Sequence, residues 1–356
     1  MILLDNIIFE LQRFGGISKY WAKTIERVDA SSLDISFLES DSASQNFFRS
    51  CLRLTHPQQA EDGGPTMRRL TRSKQHCDIF HSSYYRTSRN ARANVVTIHD
   101  FMNEKFPTSL RDKVLAYLKK QACRRADAVV VVSEQTRRDL LEAYPFVDPG
   151  CVHVTYNGVD EEFYPEPLIN SFEVGENTFN PRDYFLYVGT RGFCKNFPFV
   201  LRFMKEAKAQ GLIAPLILVG GGPLSPSEWA EIEACGLSIK SVQQLTGVSN
   251  DVLRRLYSNC LALLIPSIYE GFGLPAAEAA RCGSLVLSAR GSALDEIVGE
   301  TEYAFELSLE GEASRVLRLG LHNANAEQER KRLQARSLMF DWDASTTKLM
   351  EIYNDL

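Results

Sequence analysis

The chain has 356 residues, a formal net charge of −5 at pH 7, and 44% hydrophobic residues. This length exceeds most single hydrophobic cores and predicts two domains, while the composition is that of an ordinary soluble protein. The eight cysteines form no CxxC pair and no close Cys/His spacing, which argues against a zinc site or a disulfide framework and favours a reducing, cytoplasmic compartment.

Charge and hydropathy along the chain predict no membrane-spanning segment. The first residues, MILLDNIIFELQ, carry acids and lack a basic start followed by a long apolar run, so we expect no signal peptide. Between Arg68 and Arg138 there are sixteen Lys or Arg against six Asp or Glu. This excess predicts either several solvated helix faces or a surface for anionic lipid or a phosphorylated acceptor.

Short β-branched runs alternate with helix-length amphipathic segments, such as 109–126 and 133–143. This alternation is typical of an α/β fold whose parallel sheets are buried on both faces. The predicted strands occupy 2–4, 33–38, 94–98, 127–132 and 151–156 in the first half, and 184–189, 216–220, 261–265 and 284–288 in the second.

Two polar stretches interrupt this pattern. Residues 163–183 are rich in Pro, Asn and Glu and show no periodicity, so we expect an interdomain linker at 166–182. Residues 41–76 contain a Gly-Gly-Pro turn and predict a mobile excursion.

Four glycine-containing turns follow predicted strands. They are RFGGISKY (13–20), VGTRGFCKNF (188–197), VGGGP (219–223) and SARGSALDEIVG (288–299). In parallel sheets, ligands bind beyond the carboxyl ends of strands, where backbone amides and helix N-termini attract anions. A single glycine at such a turn usually serves geometry alone, but four of them favour a phosphate-bearing ligand.

The stretch SIYEGFGLPAAEAARCG places Glu270 and Glu278 on either side of a helix-breaking segment. Acids eight residues apart on one helix would not share a stripe. The sequence predicts a loop and then a helix from about Pro275, with no capping side chain at Leu274, so that amides near Gly273 and Leu274 can bind an outside acceptor. Both carboxylates then approach one ligand; the alternatives are a solvated loop acid and an acid that complements the helix dipole.

The motif EGFGLPAAE resembles the E-x7-E signature of retaining GT-B glycosyltransferases of family 4. Further segments are similar to that family in the same order: GGISKY, VTIHDF, ADAVVVVSEQTRRDL, VTYNGVDEEFY, VGTRGFCKNF, VGGGP, LTGVSNDVLRRLY and GSALDEIVG. The resemblance covers nearly the whole chain and implies two Rossmann-like domains with parallel sheets facing across a cleft. It implies an acceptor-binding domain at 1–165, a nucleotide-sugar-binding domain at 183–340, and a last helix at 341–356 that packs back on the first domain.

The resemblance also implies roles for individual side chains. Glu278 would hold the ribose hydroxyls of the donor, Glu270 would contact the donor sugar, and Lys195 would stabilise the leaving diphosphate. Many relatives carry an arginine five residues before this lysine, where Thr190 stands here. We expect neighbouring Arg191 to make that second cationic contact, the alternative being that Lys195 works with backbone amides alone.

Backbone amides and two first-domain side chains complete the implied site. Leu245 to Gly247 match the backbone that contacts the nucleobase edge. His99 would hydrogen-bond the donor sugar near its sixth carbon, and Asp100 would orient the acceptor hydroxyl. The implied amide donors to the diphosphate are Gly15 and Gly16 in the first domain and Gly291, Ser292 and Ala293 in the second.

The implied function is transfer of a hexose from a nucleotide-sugar to a polysaccharide or lipid-linked glycan, with retention of configuration and the leaving phosphate as base. The VGTRGFCKNF turn most resembles members acting on GDP-mannose or GDP-deoxyhexoses, which favours a GDP donor. We expect no metal, no cofactor beyond the nucleotide-sugar and no nucleic-acid partner. We also expect a cytoplasmic protein whose 68–138 region contacts the inner membrane peripherally. The alternatives are a nucleotide-sugar 2-epimerase of the same fold and a non-enzymatic, two-lobed sugar-binding protein.

Overall fold

The computed structural model of the chain divides into two compact units, each described here by itself. The described residues are 1–61, 63–168, 171–175 and 177–356. The first unit comprises Met1–Gly158 and Asp341–Leu356, and the second comprises Val159–Phe340.

The first unit is built on a seven-stranded sheet. Its strands are β1 (Ile2–Asp5), β2 (Ile35–Leu38), β3 (Gln58–Gln59), β4 (Ser73–Ser82), β5 (Ser88–Ile98), β6 (Ala128–Val131) and β7 (Val152–Val154). They pair in parallel in the order β3-β2-β1-β4-β5-β6-β7. Strands β1, β2 and β6 are buried along their whole length, as expected of a sheet covered on both faces.

Helices connect these strands. They are α1 (Ile8–Leu11), α2 (Gly16–Asp29), α3 (Phe47–Cys51), α4 (Pro65–Leu70), α5 (Met102–Lys105), α6 (Leu110–Arg125) and α7 (Glu134–Ala143). Helix α6 begins with a capping box in which Ser109 and Asp112 each bond the other's backbone amide. Helix α7 begins at Ser133, whose side chain accepts from the Thr136 amide.

The second unit is a smaller parallel sheet with an added hairpin. Its strands are β8 (Phe172–Val174), β9 (Asn177–Phe179), β10 (Phe185–Val188), β11 (Leu216–Val219), β12 (Val242–Leu245), β13 (Ala262–Ile265) and β14 (Val286–Ser288). Strands β8 and β9 form the antiparallel hairpin, and the parallel sheet has the order β12-β11-β10-β13-β14. The chain therefore moves outward from β10 to β12 and then returns to the other side of β10.

The helices of the second unit follow its strands. They are α8 (Phe197–Ala209), α9 (Pro226–Ala234), α10 (Asn250–Asn259), α11 (Leu274–Arg281), α12 (Leu294–Val298), α13 (Glu312–Leu319) and α14 (Ala324–Ser337). Every loop that follows a parallel strand opens at the same edge of the sheet, because the strands run in one direction.

The last helix, α15 (Trp342–Asp355), belongs to the first unit and packs on α2. The Trp342 ring lies 6.0 Å from the Tyr20 ring, and the Tyr353 hydroxyl lies 2.5 Å from Nδ1 of buried His81. Gly158 lies so close to Trp342 that a Cβ there would be 2.4 Å from the tryptophan ring. A side chain at this position would push the helix away.

All nine predicted strands are present, and the structure also contains strands with polar residues that were not predicted from the sequence. Strand β12 contains Gln243 and Gln244, which an edge strand tolerates because it pairs on one side only. Strand β4 has exposed polar residues at Lys74, His76 and Asp78 and is continuously buried only from Ile79 onward.

The predicted linker 166–182 and excursion 41–76 both contain regular structure. Strands β8 and β9 lie inside the predicted linker, where Phe172 and Phe179 are buried with ring centroids 5.5 Å apart. The excursion contains α3, β3 and α4, and Arg68 of α4 forms a buried ion pair with Glu10. Residues 62, 169, 170 and 176 of these segments lie outside the described residues.

No helix in the described part of the chain is both long enough and apolar enough to cross a membrane.

Candidate functional site

Two loops of the second unit bring Lys195 and Glu270 together. Lys195 ends a 3-10 turn after β10, and Asn196 behind it has a left-handed backbone with φ 53°, which asparagine tolerates better than most residues. The Ile268 amide donates to the Cys194 carbonyl at 2.8 Å and ties the two loops to each other. Lys195 Nζ then lies 2.5 Å from Glu270 Oε1, with the two side chains 31% and 14% exposed.

This ion pair lines a small pocket at the carboxyl ends of β10 and β13. The pocket is lined by Tyr187, Val188, Lys195, Leu264, Ile265, Ser267, Glu270, Gly273 and Pro275. The strand order reverses between β10 and β13, and parallel sheets bind ligands at such a reversal. The structure therefore joins four predicted features at one place: the lysine, the first glutamate, the glycine and the helix start.

Helix α11 starts one residue earlier than predicted. Its N-cap is Gly273, with φ 105°, and Leu274 is its first residue, so Pro275 stands second. A Cβ on Gly273 would lie 2.6 Å from Leu294 Cδ2, so this position requires glycine for both its backbone and its space. No side chain caps this N-terminus. Pro275 has no amide hydrogen, and the Ala276 and Ala277 amides donate to the Gly273 carbonyl at 2.9 and 3.3 Å, so the candidate donor to an external anion is the Leu274 amide.

Glu278 is a buried carboxylate of helix α11. It occupies the second turn of α11 and is 6% exposed, and the Tyr257 hydroxyl donates to its Oε2 at 3.3 Å. Burial, reinforced by the nearby Glu278 carboxylate, raises the pKa of Tyr257 well above its usual value. Because the dipole effect fades beyond the first turn, dipole complementation does not explain a buried carboxylate at this position.

The loop 291–293 lies beside Glu270, but its amides already have acceptors. The Gly291 amide donates to Asp295 Oδ2 at 2.8 Å, and the Ala293 amide donates to the Glu270 carbonyl at 3.4 Å. Ser292 between them is buried. A phosphate that binds the Gly291 amide has to displace the Asp295 carboxylate from it. This competition was not predicted from the sequence.

Arg191 is not placed as predicted. Its Nε donates to Glu228 Oε1 at 2.5 Å, and its terminal nitrogens donate to the carbonyls of the Gly220–Pro223 turn at 3.0 to 3.2 Å. The side chain is only 4% exposed. The hydrogen bond from Arg191 holds the pKa of Glu228 at about 2. The diphosphate contact of Arg191 stays a prediction, and these bonds weigh against it, because the guanidinium is engaged in holding a glycine-rich turn.

We expect Arg191→Ala to destabilise the second unit and to leave nucleotide affinity nearly unchanged. Loss of the buried charge-assisted hydrogen bonds should lower the free energy of unfolding by about 1–3 kcal/mol. Urea unfolding and calorimetry with nucleoside diphosphates measure the two quantities. The matched control is Arg318→Ala on α13, where the arginine is exposed. Unchanged stability together with a tenfold loss of nucleotide affinity would restore the phosphate role.

The predicted nucleobase segment follows β12. The Leu245 carbonyl lies 3.5 Å from the Gly220 amide, and Gly247 has a left-handed backbone with φ 64°. Gln244 supports the same region, since its side-chain amide donates to the Gly222 carbonyl and its Oε1 accepts from the Leu224 amide. The segment therefore lies next to the turn that Arg191 holds.

In the first unit, Gly15 and Gly16 open helix α2. Gly15 is the N-cap, and its carbonyl accepts from the Lys19 amide at 2.9 Å. No side chain caps this fourteen-residue helix. A Cβ on Gly15 would lie 2.6 Å from Gln12 Oε1, whereas one on Gly16 would meet nothing within 4 Å. The amides of this first turn suit an anion, and the predicted contact of Gly15 and Gly16 with the diphosphate stays a prediction.

His99 and Asp100 follow β5 in the same unit. His99 is 8% exposed, and its ring meets the Tyr20 ring edge-on at 4.9 Å. Burial lowers the pKa of His99 to about 4, so its imidazole is neutral at neutral pH. Asp100 Oδ1 accepts from the Met102 amide at 3.0 Å, which leaves its second oxygen for other donors.

Sequence reasoning missed three side chains around these positions. Tyr257 and Asp295 lie against predicted ligand-binding groups, Glu278 and Gly291. They stand in the quoted segments LTGVSNDVLRRLY and GSALDEIVG, but nothing in those segments indicates which group each side chain contacts. Lys119 of α6 is completely buried behind Asp100 and resembles any other basic residue of that helix in the sequence. Within the part of the chain that the structure describes, no three His, Cys, Asp or Glu side chains are grouped as metal ligands.

Two family models match the chain. Residues 40–163 match Glycosyltransferase Family 4, and residues 171–336 match Glycosyl transferases group 1. The chain is 24% identical to O-antigen chain mannosyltransferase B of Escherichia coli over 77% of its length and 74% of that protein. It is 28% identical to alpha-maltose-1-phosphate synthase of Mycolicibacterium smegmatis over 53% of its length, and it spans about half of that relative.

Solved structures support the fold. HepE of Anabaena in complex with UDP-glucose has a TM-score of 0.70 at 15% identity and covers all of this chain and 99% of that one. WaaG, a glycosyltransferase involved in lipopolysaccharide biosynthesis, has a TM-score of 0.70 at 14% identity and covers 99% of both chains. Together with the two parallel-sheet units and the two matched models, these likenesses show that the chain belongs to the family 4 glycosyltransferases and has the GT-B fold.

Proposed function

We propose that the protein is a retaining hexosyltransferase that moves a sugar from a nucleoside-diphosphate donor to a glycan acceptor. The observation that carries this proposal is the Lys195–Glu270 pair at the reversal of strand order in the second unit. A cation, a hydroxyl-binding carboxylate and an uncapped helix N-terminus stand together there. These three groups match the diphosphate and the sugar of such a donor.

The donor is held by groups of different chemistry. Lys195 and the Leu274 amide at the start of α11 bind the diphosphate, while Glu270 accepts hydrogen bonds from sugar hydroxyls. Glu278 accepts from the ribose hydroxyls and is kept in place by Tyr257. The contribution of Gly15 and Gly16 stays a prediction, for which the uncapped start of α2 is the supporting observation.

The chemistry requires stabilisation of a departing diphosphate. As the bond between the sugar and the phosphate oxygen breaks, negative charge grows on that oxygen, and a fixed ammonium stabilises it most in the transition state. The leaving oxygen then takes the proton of the acceptor hydroxyl, and the new bond forms on the same face of the sugar. His99 and Asp100 are proposed to contact the sugar and the acceptor, and no metal or further cofactor is assigned a step.

We propose GDP-mannose or a GDP-deoxyhexose as the donor, supported by the mannosyltransferase relatives. Thermal unfolding with GDP, UDP, ADP and dTDP tests the donor base, because a ligand that binds the native state raises its stability. GDP should raise the unfolding temperature most. A larger shift with UDP than with GDP would show that the donor carries uracil instead of guanine. No shift with any diphosphate would overturn the proposed function.

The alternative, a nucleotide-sugar 2-epimerase, is tested by incubating the donor without an acceptor. The appearance of a new sugar isomer would identify that activity.

The acceptor is proposed to be a polysaccharide or lipid-linked glycan reached at an anionic membrane. Helix α6 supports this, since it exposes Leu110, Val114 and Tyr117 at 78%, 39% and 60% along one helix face. Its basic residues Arg111, Lys113, Lys120 and Arg124 are exposed beside them. Apolar side chains in a basic field suit the interface of an anionic bilayer.

We expect the protein to sediment with vesicles containing phosphatidylglycerol at low salt and to dissociate at high salt. Reversal of Lys113 and Lys120 to glutamate should weaken this binding at least ~tenfold, since each basic residue contributes ~1 kcal/mol near such a surface. The control reverses Lys240 and Lys331, which are exposed in the second unit. Equal binding by both double variants would refute the α6 surface.

A further inference from the structure

Lys119 is a completely buried lysine in the middle of α6, with 0% of its side chain exposed. Lysine is almost never fully buried unless its charge is paired. Its Nζ donates to the Asp100 carbonyl at 2.7 Å and to Glu104 Oε2 at 2.8 Å, and it lies 4.6 Å from the centre of the Phe101 ring. The ammonium is therefore paired and enclosed, and it donates hydrogen bonds to the segment that directly follows β5.

These contacts fix the backbone directly beyond His99. The Asp100 carbonyl is held from inside by Lys119, and the Asp100 side chain is held by the Met102 amide. Glu104, the second partner of Lys119, also accepts from the Tyr144 hydroxyl at 2.7 Å. The peptide between residues 100 and 101 is thus anchored to α6 through Lys119, and the ring of the preceding His99 packs edge-on against Tyr20.

Packing alone does not explain a charged group here. Moving an ammonium out of water costs several kcal/mol, and a buried ion pair often contributes no more stability than apolar residues of the same volume. A leucine or methionine would fill the same space. An ammonium supplies something that these cannot, namely directed hydrogen bonds to one carbonyl and a fixed positive charge near His99.

We propose that Lys119 is a positioning residue that fixes the His99–Asp100 strand end for contact with the donor sugar and the acceptor hydroxyl. The proposal rests on the function proposed above, which places His99 and Asp100 at the substrates. Lys119 touches neither substrate. It acts through the Asp100 carbonyl and through its charge, which disfavours a second cation at the neighbouring imidazole.

The surroundings of His99 make this charge effect measurable. Burial is the main cause of its low pKa, the Asp100 carboxylate opposes it, and the Lys119 ammonium lowers the pKa further. Tyr20 of α2 packs against the His99 ring, and His81 of β4 interacts with it electrostatically; burial keeps His81 neutral with a pKa of about 3. Removing the lysine charge should therefore raise the His99 pKa, because the imidazolium loses a repulsive neighbour.

The test uses Lys119→Met combined with Glu104→Gln, so that no unpaired carboxylate is left behind. The control is Arg68→Met combined with Glu10→Gln, a buried ion pair of the same unit outside the proposed site. We expect the Lys119 double variant to lose ~10-fold or more in kcat per folded molecule through misplacement of reacting groups, with KM for the donor changed less. The control should keep its kcat.

A second readout separates positioning from general stability. NMR titration of the His99 ring, assigned with His99→Gln, should show a higher pKa in the Lys119 variant than in the wild type and in the control. An unchanged His99 titration with a kcat equal to that of the control overturns the proposal. If the wild type transfers no sugar from any nucleotide donor, the function proposed above fails, and the titration still decides whether Lys119 acts on His99.

Discussion

Lys195→Ala should lower kcat by ~10²-fold or more, the size seen when one contact to developing transition-state charge is removed. The structure supplies the physical reason. Lys195 is held by Glu270 at 2.5 Å inside a pocket at the strand ends, so its charge is already oriented before the diphosphate departs. Steady-state kinetics with GDP-mannose measure the change, and KM should move less than kcat.

The ion pair gives this prediction a second part. The Glu270 side chain is only 14% exposed, and Lys195→Ala removes the cation that pairs with it. Part of the loss in kcat will therefore reflect a displaced Glu270. Combining Lys195→Ala with Glu270→Gln should therefore cost less than the sum of the two single changes. Lys205→Ala on α8, where the lysine is exposed, is the control and should keep full activity. A wild-type kcat for Lys195→Ala would remove the lysine from the chemistry.

Glu278→Ala should weaken binding of nucleoside diphosphates by ~10- to 100-fold, as expected for hydrogen bonds to a buried charged acceptor worth ~1.5–3 kcal/mol. Glu278 is 6% exposed, and its position in the second turn of α11 excludes a simple dipole role. Isothermal titration calorimetry measures the affinity directly. Glu278→Gln keeps the shape and removes the charge, and we expect an intermediate loss.

A stability control accompanies the Glu278 experiment. The Tyr257 hydroxyl donates to Glu278, so truncation leaves a buried hydroxyl with one partner fewer. Tyr257→Phe tests this separately and should retain most of the nucleotide affinity if Glu278 binds ribose itself. The exposed Glu231→Ala on α9 should change neither quantity. Unaltered nucleotide affinity in Glu278→Ala would show that the ribose assignment is wrong.

The strands that sequence predicts best are those whose burial is complete. Strands β6, β10, β11 and β13 consist of apolar residues and β1 ends in a single buried aspartate, and all but the last residue of β10 are buried, so hydrophobicity alone places them. Strand β12 contains two glutamines, and strands β8 and β9 have three residues each. None of the three therefore shows a hydrophobic pattern from which a strand can be predicted. The position of β12 depends on its pairing with β11, whereas β8 and β9 pair with each other as a short hairpin.

The candidate site divides in the same way. Glycine positions were predictable because Gly273 and Gly247 have left-handed backbones that other residues rarely adopt. The partners of charged side chains were not. Arg191 and Lys195 stand four residues apart on one loop, yet one holds the Gly220–Pro223 turn and the other pairs with Glu270. Which cation meets a ligand is decided by loops that meet only after folding.

The most direct test of the central claim is the anomeric configuration of the product. GDP-mannose, whose mannose is α-linked, is incubated with octyl α-D-mannoside, and the new linkage is identified by proton NMR. The proposed function predicts an α-linked disaccharide with release of GDP in equal amount, and loss of both in Lys195→Ala. A β-linked product, or a new nucleotide-sugar isomer formed without the mannoside, would contradict it.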